Sequence, residues 1–207
     1  MKKVYIVNGS AAYRILFESF SFETTTDIKE ASLVCFTGGE DVSPELYGDQ
    51  AHPHTYSSKY RDRVEQQMFD IALDYEIPMV GICRGGQFLN VMNGGRMYQD
   101  VTKHAIYGTH PIVDLESGET IEVSSTHHQM FMPHESAKVV AVANLGGDRE
   151  WYDGQVFRRD KSNTDYEVLF YESTMSLCFQ PHPEFTGEQY EPMKRYFSYL
   201  LVKYLGV

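Results

Sequence analysis

MVGICRGGQFLNVMNGG, residues 79–95, is the stretch on which the reading of the chain turns. The apolar run after Pro78 (Met79, Val80, Ile82) has the composition of a short buried strand, and Phe88, Leu89, Val91 and Met92 then fall at helical spacing. Cys83 stands at the junction, with Gly81 and Gly85 two residues away on either side. This G-x-C-x-G pattern matches the strand, sharp turn and helix that present the nucleophile in G-x-S-x-G enzymes, the glycines supplying room that a Cβ would fill. A thiol at a helix N-terminus faces unpaired N–H groups and the positive end of the macrodipole, and both favour the thiolate, the attacking form. The N–H of Arg84 points back toward the atom under attack, half of an oxyanion hole. An isolated buried cysteine is more often a small core residue; the paired glycines tip this one toward a nucleophile.

Upstream, KVYIVNG (residues 3–9) reads as a strand closed by an Asn-Gly turn, and Tyr13 to Phe20 has helix-compatible spacing. Phe22 to Thr26 gives a second strand, Asp27 is placed to cap the short helical segment IKEA, and LVCFT (33–37) is a third, fully apolar strand. Gly38-Gly39 follows at once, able to present backbone N–H groups at a strand end. Residues 50–60 lack periodicity and are expected as an exposed loop, with His52 and His54 on the surface rather than on a metal. Arg61 to Tyr75 puts Val64, Met68, Ile71, Ala72 and Tyr75 on one face of an amphipathic helix. Strands alternating with helices predict an α/β parallel sheet that binds ligands at the carboxyl ends of its strands, where Gly38-Gly39 and Cys83 both fall.

Downstream of Arg96 the pattern changes to short strand-like runs: RMYQDV, HPIVD, ETIEVSS, AKVVAVA, EWYDGQVF, YEVLFYES and SLCFQ. Ser117-Gly118 and Asp153-Gly154 read as hairpin turns, and residues 143–149 and 158–165 as solvent-facing loops. Glu188 to Leu205 carries apolar residues at threes and fours, a docking helix. One domain spanning residues 1–207 is expected.

The 18 basic and 29 acidic residues, a net charge of −11, argue against nucleic acid or an anionic membrane as partner. Cys35, Cys83 and Cys178 form an odd set without disulfide-scaffold spacing, and Cys35 and Cys178 read as core. With no apolar stretch of signal-peptide or membrane-span length, a cytoplasmic protein is expected.

A thiolate nucleophile needs a general base, and usually a third group that holds the base in its tautomer. His182 stands out among the eight histidines: FQPHPEF (179–185) follows a strongly apolar strand, and His182 and Glu184, two apart in extended chain, project to the same side. Pro183 restrains the spacer between them. The competing pair, His127 and His128, has no carboxylate two residues away and is expected to contact substrate rather than move protons.

With these pieces assembled the sequence resembles a class I glutamine amidotransferase domain, and within that group the γ-glutamyl hydrolase branch, the C26 peptidases that include γ-glutamyl-γ-aminobutyrate hydrolase. The resemblance is carried by GGEDVSPELYGD (38–49), Arg61-Asp62 with Glu65, GICRGGQFLNVMNGG (81–95), YQD (98–100), THHQ (126–129) and HPE (182–184). It implies a flavodoxin-like open sheet, mainly parallel, with helices on both faces and an added antiparallel β region in the C-terminal half. It further implies Cys83 as nucleophile, His182 as base and acid, Glu184 as its orienter, and the N–H groups of Gly39 and Arg84 as oxyanion hole. Gln87 would contact the substrate amide, and His128 and Gln129 would shape the glutamyl pocket. Neither a metal nor a cofactor is expected. The implied reaction is hydrolysis of a γ-glutamyl amide, glutamine or a γ-glutamyl amine, through a glutamyl thioester.

Two alternatives stand beside it: a glutaminase subunit that delivers ammonia to a separate synthetase, since the chain has no G-x-x-x-x-G-K-[ST] loop of its own, and a catalytically silent binding or regulatory module. The partners expected are a small γ-glutamyl substrate and either a second copy or a synthetase subunit. Pro181, where the family commonly has an aromatic residue, and Phe157, where it often has an acid, depart from the pattern.

Overall fold

Along each central strand successive residues enter different cores, and this sets the layering. In the computed structural model, which describes residues 2–207, Leu33 and Cys35 pack into one core while Val34 and Phe36 pack into the other. The strand they form, β3 (Leu33–Phe36), is preceded by β1 (Lys2–Val7), α1 (Ala11–Ser19) and β2 (Phe22–Thr24), and succeeded by α2 (Lys59–Asp74), β4 (Met79–Ile82) and α3 (Arg84–Met92). The second half supplies β5 (Arg96–Tyr98), β6 (Asp100–Val101), β7 (Ala105–Asp114), β8 (Thr120–Thr126), β9 (Met130–Met132) and β10 (Lys138–Ala143). It then continues through β11 (Asp148–Tyr152), β12 (Phe157–Lys161), β13 (Asp165–Tyr171), β14 (Ser176–Phe179) and α4 (Glu191–Leu205).

Nine strands form one sheet in the order β2-β1-β3-β4-β14-β13-β10-β7-β8. Pairing is parallel from β2 through β14 and antiparallel from β14 to β8, the expected flavodoxin-like sheet with an antiparallel extension. Helices α1 and α4 cover one face through Leu16, Phe17, Phe197, Leu200 and Leu201, and α2 and α3 cover the other through Phe69, Ala72, Phe88 and Leu89. Cys35 and Cys178 are fully buried, as expected, and all three cysteines are free.

Strand order decides which loops can meet. β3, β4 and β14 are adjacent and parallel, so the segments after their carboxyl ends, Gly38-Gly39, Cys83 and His182, emerge side by side.

Two expected loops differ. Residues 157–161 form β12, paired antiparallel with β11. Its charges, which read as loop, are cross-strand partners: Arg149 Nε lies 2.8 Å from Asp160 and Arg159 Nη2 lies 2.6 Å from Asp148. The 50–60 segment is not wholly exposed, because His52 is buried, with Nε2 3.2 Å from Glu150 and its backbone N–H donating to Gln99 Oε1. The strand Met130–Met132 has no counterpart among the expected elements; three residues are too few to show a period. Among the described residues no helix is long and apolar enough to cross a membrane.

Candidate active site

Cys83 occupies the turn between β4 and α3 with φ 52° and ψ −115°, a conformation that L residues avoid and that neighbouring structure must enforce. The enforcement is close backbone packing. A Cβ at Gly81 would stand 2.2 Å from the Gly85 carbonyl oxygen, and one at Gly85 would stand 2.1 Å from that of Phe36. These glycines let α3 start directly against β3 and β4, and the Cys83 N–H is tied to the Phe179 carbonyl at 2.7 Å. The amide of Arg84, the first residue of α3, has no intrahelical acceptor and faces outward from the helix start.

His182 follows β14. Its Nδ1 lies 2.7 Å from Glu184 Oε1, its ring stacks on Phe185 at 4.8 Å between centroids, and its backbone N–H donates to Ser124 Oγ at 2.8 Å. The juxtaposition arises from a turn rather than extended chain: Phe185 N–H donates to the His182 carbonyl at 3.2 Å, with Pro183 in the position where a fixed φ suits a turn. Burial alone would lower the imidazole. The charge of Cys83, a hydrogen bond with it, and then the Glu184 contact outweigh burial and raise His182 to about 10.

That shift has a sign. A histidine raised in the fold stabilises it fully below the ordinary value near 6.5, and the contribution disappears as pH rises toward about 10. The stability difference between the parent protein and His182→Gln, from urea unfolding, is therefore expected to be largest at pH 6 and to shrink steadily toward pH 10. A difference that grows over this range would contradict the assignment.

Gly38 sits where imidazole and thiol meet. A Cβ there would lie 2.9 Å from His182 Cε1, 3.0 Å from the Tyr13 hydroxyl and 3.6 Å from Cys83 Cβ. Gly38→Ala is expected to displace the imidazole and lower kcat/KM by about 10²-fold or more, checked by kinetics on protein shown by thermal unfolding to be folded. Gly39, at φ +146°, is in a conformation that only glycine adopts readily, and a Cβ would meet Arg61 Nη1 at 2.0 Å.

Arg61 fixes this loop. Its Nη2 donates to the carbonyls of Thr37 (2.8 Å) and Gly38 (3.0 Å), and its Nε donates to Glu65 at 2.8 Å. Because the peptide is planar and trans, a Gly38 carbonyl turned toward Arg61 turns the Gly39 N–H the opposite way. Glu65 and Asp62 also pair with the buried Arg84 side chain, so α2 locks the Gly38-Gly39 loop and the Cys83 turn to one another. Burial, and next the Arg61 charge, lower the Arg84 guanidinium to about 10.

Three supporting groups have no clear signal in the sequence. Tyr13 accepts from the Gly38 N–H at 2.9 Å, and burial, then the Glu184 charge, push its phenol well above the ordinary range so that it keeps its proton. Ser124 seats His182. The third is the lock made by Arg61, Asp62 and Glu65: these residues carry part of the family resemblance, and the separation of one helical turn between Arg61 and Glu65 marks a shared face, but neither signal gave them this role.

The remaining predicted residues are placed unequally. Gln87 Nε2 donates to the Gln129 carbonyl and to Gln180 Oε1, both at 3.1 Å. Gln129 is buried, donating to Thr55 Oγ1 at 3.0 Å and to the Gln99 carbonyl at 3.2 Å. His128 is partly exposed, and its Nε2 lies 3.2 Å from Asp41, whose hydrogen bond raises the imidazole. His127, expected beside substrate, is instead buried: its Nδ1 donates to the Gln129 carbonyl at 2.8 Å and its Nε2 faces Glu167. Cys83 itself is 8% exposed, and hollows of about 240 to 430 Å³ elsewhere on the surface are lined by other residues.

A cysteine-bearing elbow thus lies beside a histidine–carboxylate pair at the carboxyl edge of a flavodoxin-like sheet. The chain belongs to the peptidase C26 family, whose sequence profile matches residues 7–148. It is 38% identical over 116 residues to the glutamine amidotransferase-like protein YvdE of Lactococcus lactis, a match covering 47% of this chain and 49% of that protein. The chain thus spans about half the length of the curated relatives it matches. A glutamine amidotransferase from Thermotoga maritima shares the fold at a TM-score of 0.62 and 15% identity, over 98% of this chain and 84% of that one. PurLQS from the same organism superposes at 0.63 and 17% identity, over 96% and 97%.

Proposed function

We propose that the protein hydrolyses γ-glutamyl amides through a Cys83 thioester. The thiolate attacks the γ-carbonyl carbon, and the resulting oxyanion is met by the N–H groups of Gly39 and Arg84. His182, held by Glu184, gives its proton to the departing amine as the C–N bond breaks. It then takes a proton from water, which adds to the thioester and releases glutamate with the thiol restored. Gln87 offers its carboxamide oxygen to the substrate amide. His128, its imidazole raised by the hydrogen bond to Asp41, faces the α-carboxylate, and Gln129 supports that wall.

The observation that carries this reading is the delivery of Cys83, His182 and the Gly38-Gly39 loop by three adjacent parallel strands, with α2 pinning two of the three. The test is glutamate release from glutamine and a panel of γ-glutamyl amines by the purified chain. Release from several amines supports an independent hydrolase. Release from glutamine alone supports a glutaminase that supplies ammonia to a synthetase, and no release from any member overturns the reading.

A further inference from the structure

Beyond the thiol site, His104, His110, His127 and Glu167 converge in the interior, all but fully buried. Glu167 Oε1 lies 3.4 Å from His104 Nδ1, 3.6 Å from His110 Nε2 and 3.7 Å from His127 Nε2. None of these contacts makes a hydrogen bond, and among the described residues those four atoms and Glu167 Oε2 have no hydrogen-bond partner at all. Buried polar atoms are almost always paired, so a cluster of orphans aimed at a common point asks for something at that point.

We propose that His104 Nδ1, His110 Nε2, His127 Nε2 and the Glu167 carboxylate bind one zinc ion in a closed tetrahedral site. Bonds of about 2.0–2.1 Å to nitrogen and oxygen set ligand atoms about 3.3–3.4 Å apart along the edges of a tetrahedron. The contacts of 3.4 to 3.7 Å are near that spacing and too long for hydrogen bonds. Two of the three outer nitrogens are turned onto acceptors, as ligating histidines require: His127 Nδ1 on the Gln129 carbonyl at 2.8 Å and His110 Nδ1 on the Pro111 carbonyl at 3.2 Å, while His104 Nε2 faces Asp165 Oδ2 at 3.5 Å without a hydrogen bond. The two hydrogen bonds fix the tautomers of His127 and His110 that leave their inward nitrogens with their lone pairs.

The backbone departs from regular pairing where it delivers the ligands. In the β10–β13 ladder Ala141 pairs with Val168 and Val142 with Tyr166, which leaves Glu167 bulged out of register. The β7–β8 ladder slips between Ala105 and Thr109, the interval that separates His104 from His110. Four protein ligands close the coordination sphere, so the ion is structural: it clamps β7, β8 and β13 in the antiparallel extension. His127 follows the strand whose Ser124 seats His182, which places the clamp behind the candidate base. Zinc suits a set of three imidazoles and one carboxylate without sulfur. No local pattern announces the site, because its ligands are scattered along the chain without a metal-binding spacing.

The test is metal analysis of the full chain, purified without chelator, incubated with zinc and desalted. About one zinc per chain is expected, with X-ray absorption showing only nitrogen and oxygen neighbours at about 2.0–2.1 Å. His110→Ala and Glu167→Gln are each expected to reduce the retained zinc at least about tenfold, while His134→Ala, exposed and outside the cluster, retains it. Should the two cluster variants fail to fold, the parent protein still decides the matter: cobalt(II) in place of zinc is expected to give the strong visible absorption of a tetrahedral centre, and chelation to lower the melting temperature reversibly. Less than about 0.1 zinc per chain in the folded parent, sulfur in the first shell, or full zinc retention by folded His110→Ala would overturn the assignment and leave a metal-free cluster of charged and neutral side chains.

Discussion

Cys83→Ala is expected to lower glutamate release from γ-glutamyl amides by at least about 10⁴-fold while the protein still folds and unfolds cooperatively. The activity loss follows from the chemistry, since without the sulfur no thioester forms and only the polarising amides remain. Retention of the fold, less the contribution of the Cys83–His182 contact, follows from the backbone. The conformation at φ 52° and ψ −115° is as awkward for alanine as for cysteine, and it is imposed by the packing of Gly81 and Gly85, which the substitution leaves alone. Steady-state kinetics and thermal unfolding on the same preparation separate the two effects. Retention of more than about 1% of the parental rate would show that another group does the chemistry.

Glu65→Ala is expected to have the opposite profile, a loss of about 3–5 kcal/mol of stability and a fall of roughly 6–20 °C in melting temperature. Glu65 is fully buried and shared between Arg61 and the buried Arg84. Its removal takes the shared carboxylate from both guanidinium groups, leaving Arg84 with Asp62 alone and Arg61 with Glu40 and two carbonyls, so the cost of desolvating them is no longer fully offset. Glu40, which also pairs with Arg61 at 2.8 Å, is 42% exposed. Glu40→Ala is accordingly expected to cost less than about 1 kcal/mol, because solvent screens that pair. Urea unfolding of both variants tests the contrast; equal losses would mean that burial does not set the strength of this network.

The parallel half of the fold and the thiol turn were legible because their signals are local. Apolar runs of strand length alternate with helical spacing, and the glycines around Cys83 mark a conformation that few other sequences require. The partnership of His182 and Glu184 was legible from spacing, although the structure makes it through a turn closed at Phe185. What could not be read is what depends on distant segments meeting. The tie from Arg61 to the Gly38 carbonyl, the bond from Gly38 to Tyr13 and the seat that Ser124 gives His182 are made by residues with no common pattern. The charged run of β12 read as loop because its partners lie on β11, and His127 read as a surface pocket residue because nothing nearby in the chain announces Glu167.

The most direct test of the central claim, that Cys83 is an activated nucleophile in a glutamyl site, is peptide mass spectrometry after treatment with an electrophilic glutamine analogue. One covalent adduct is expected, on the peptide carrying Cys83, with Cys35 and Cys178 unmodified, and it is expected to diminish when glutamine is added in excess. A folded protein that takes up no label, or takes it up at another residue, would contradict the account.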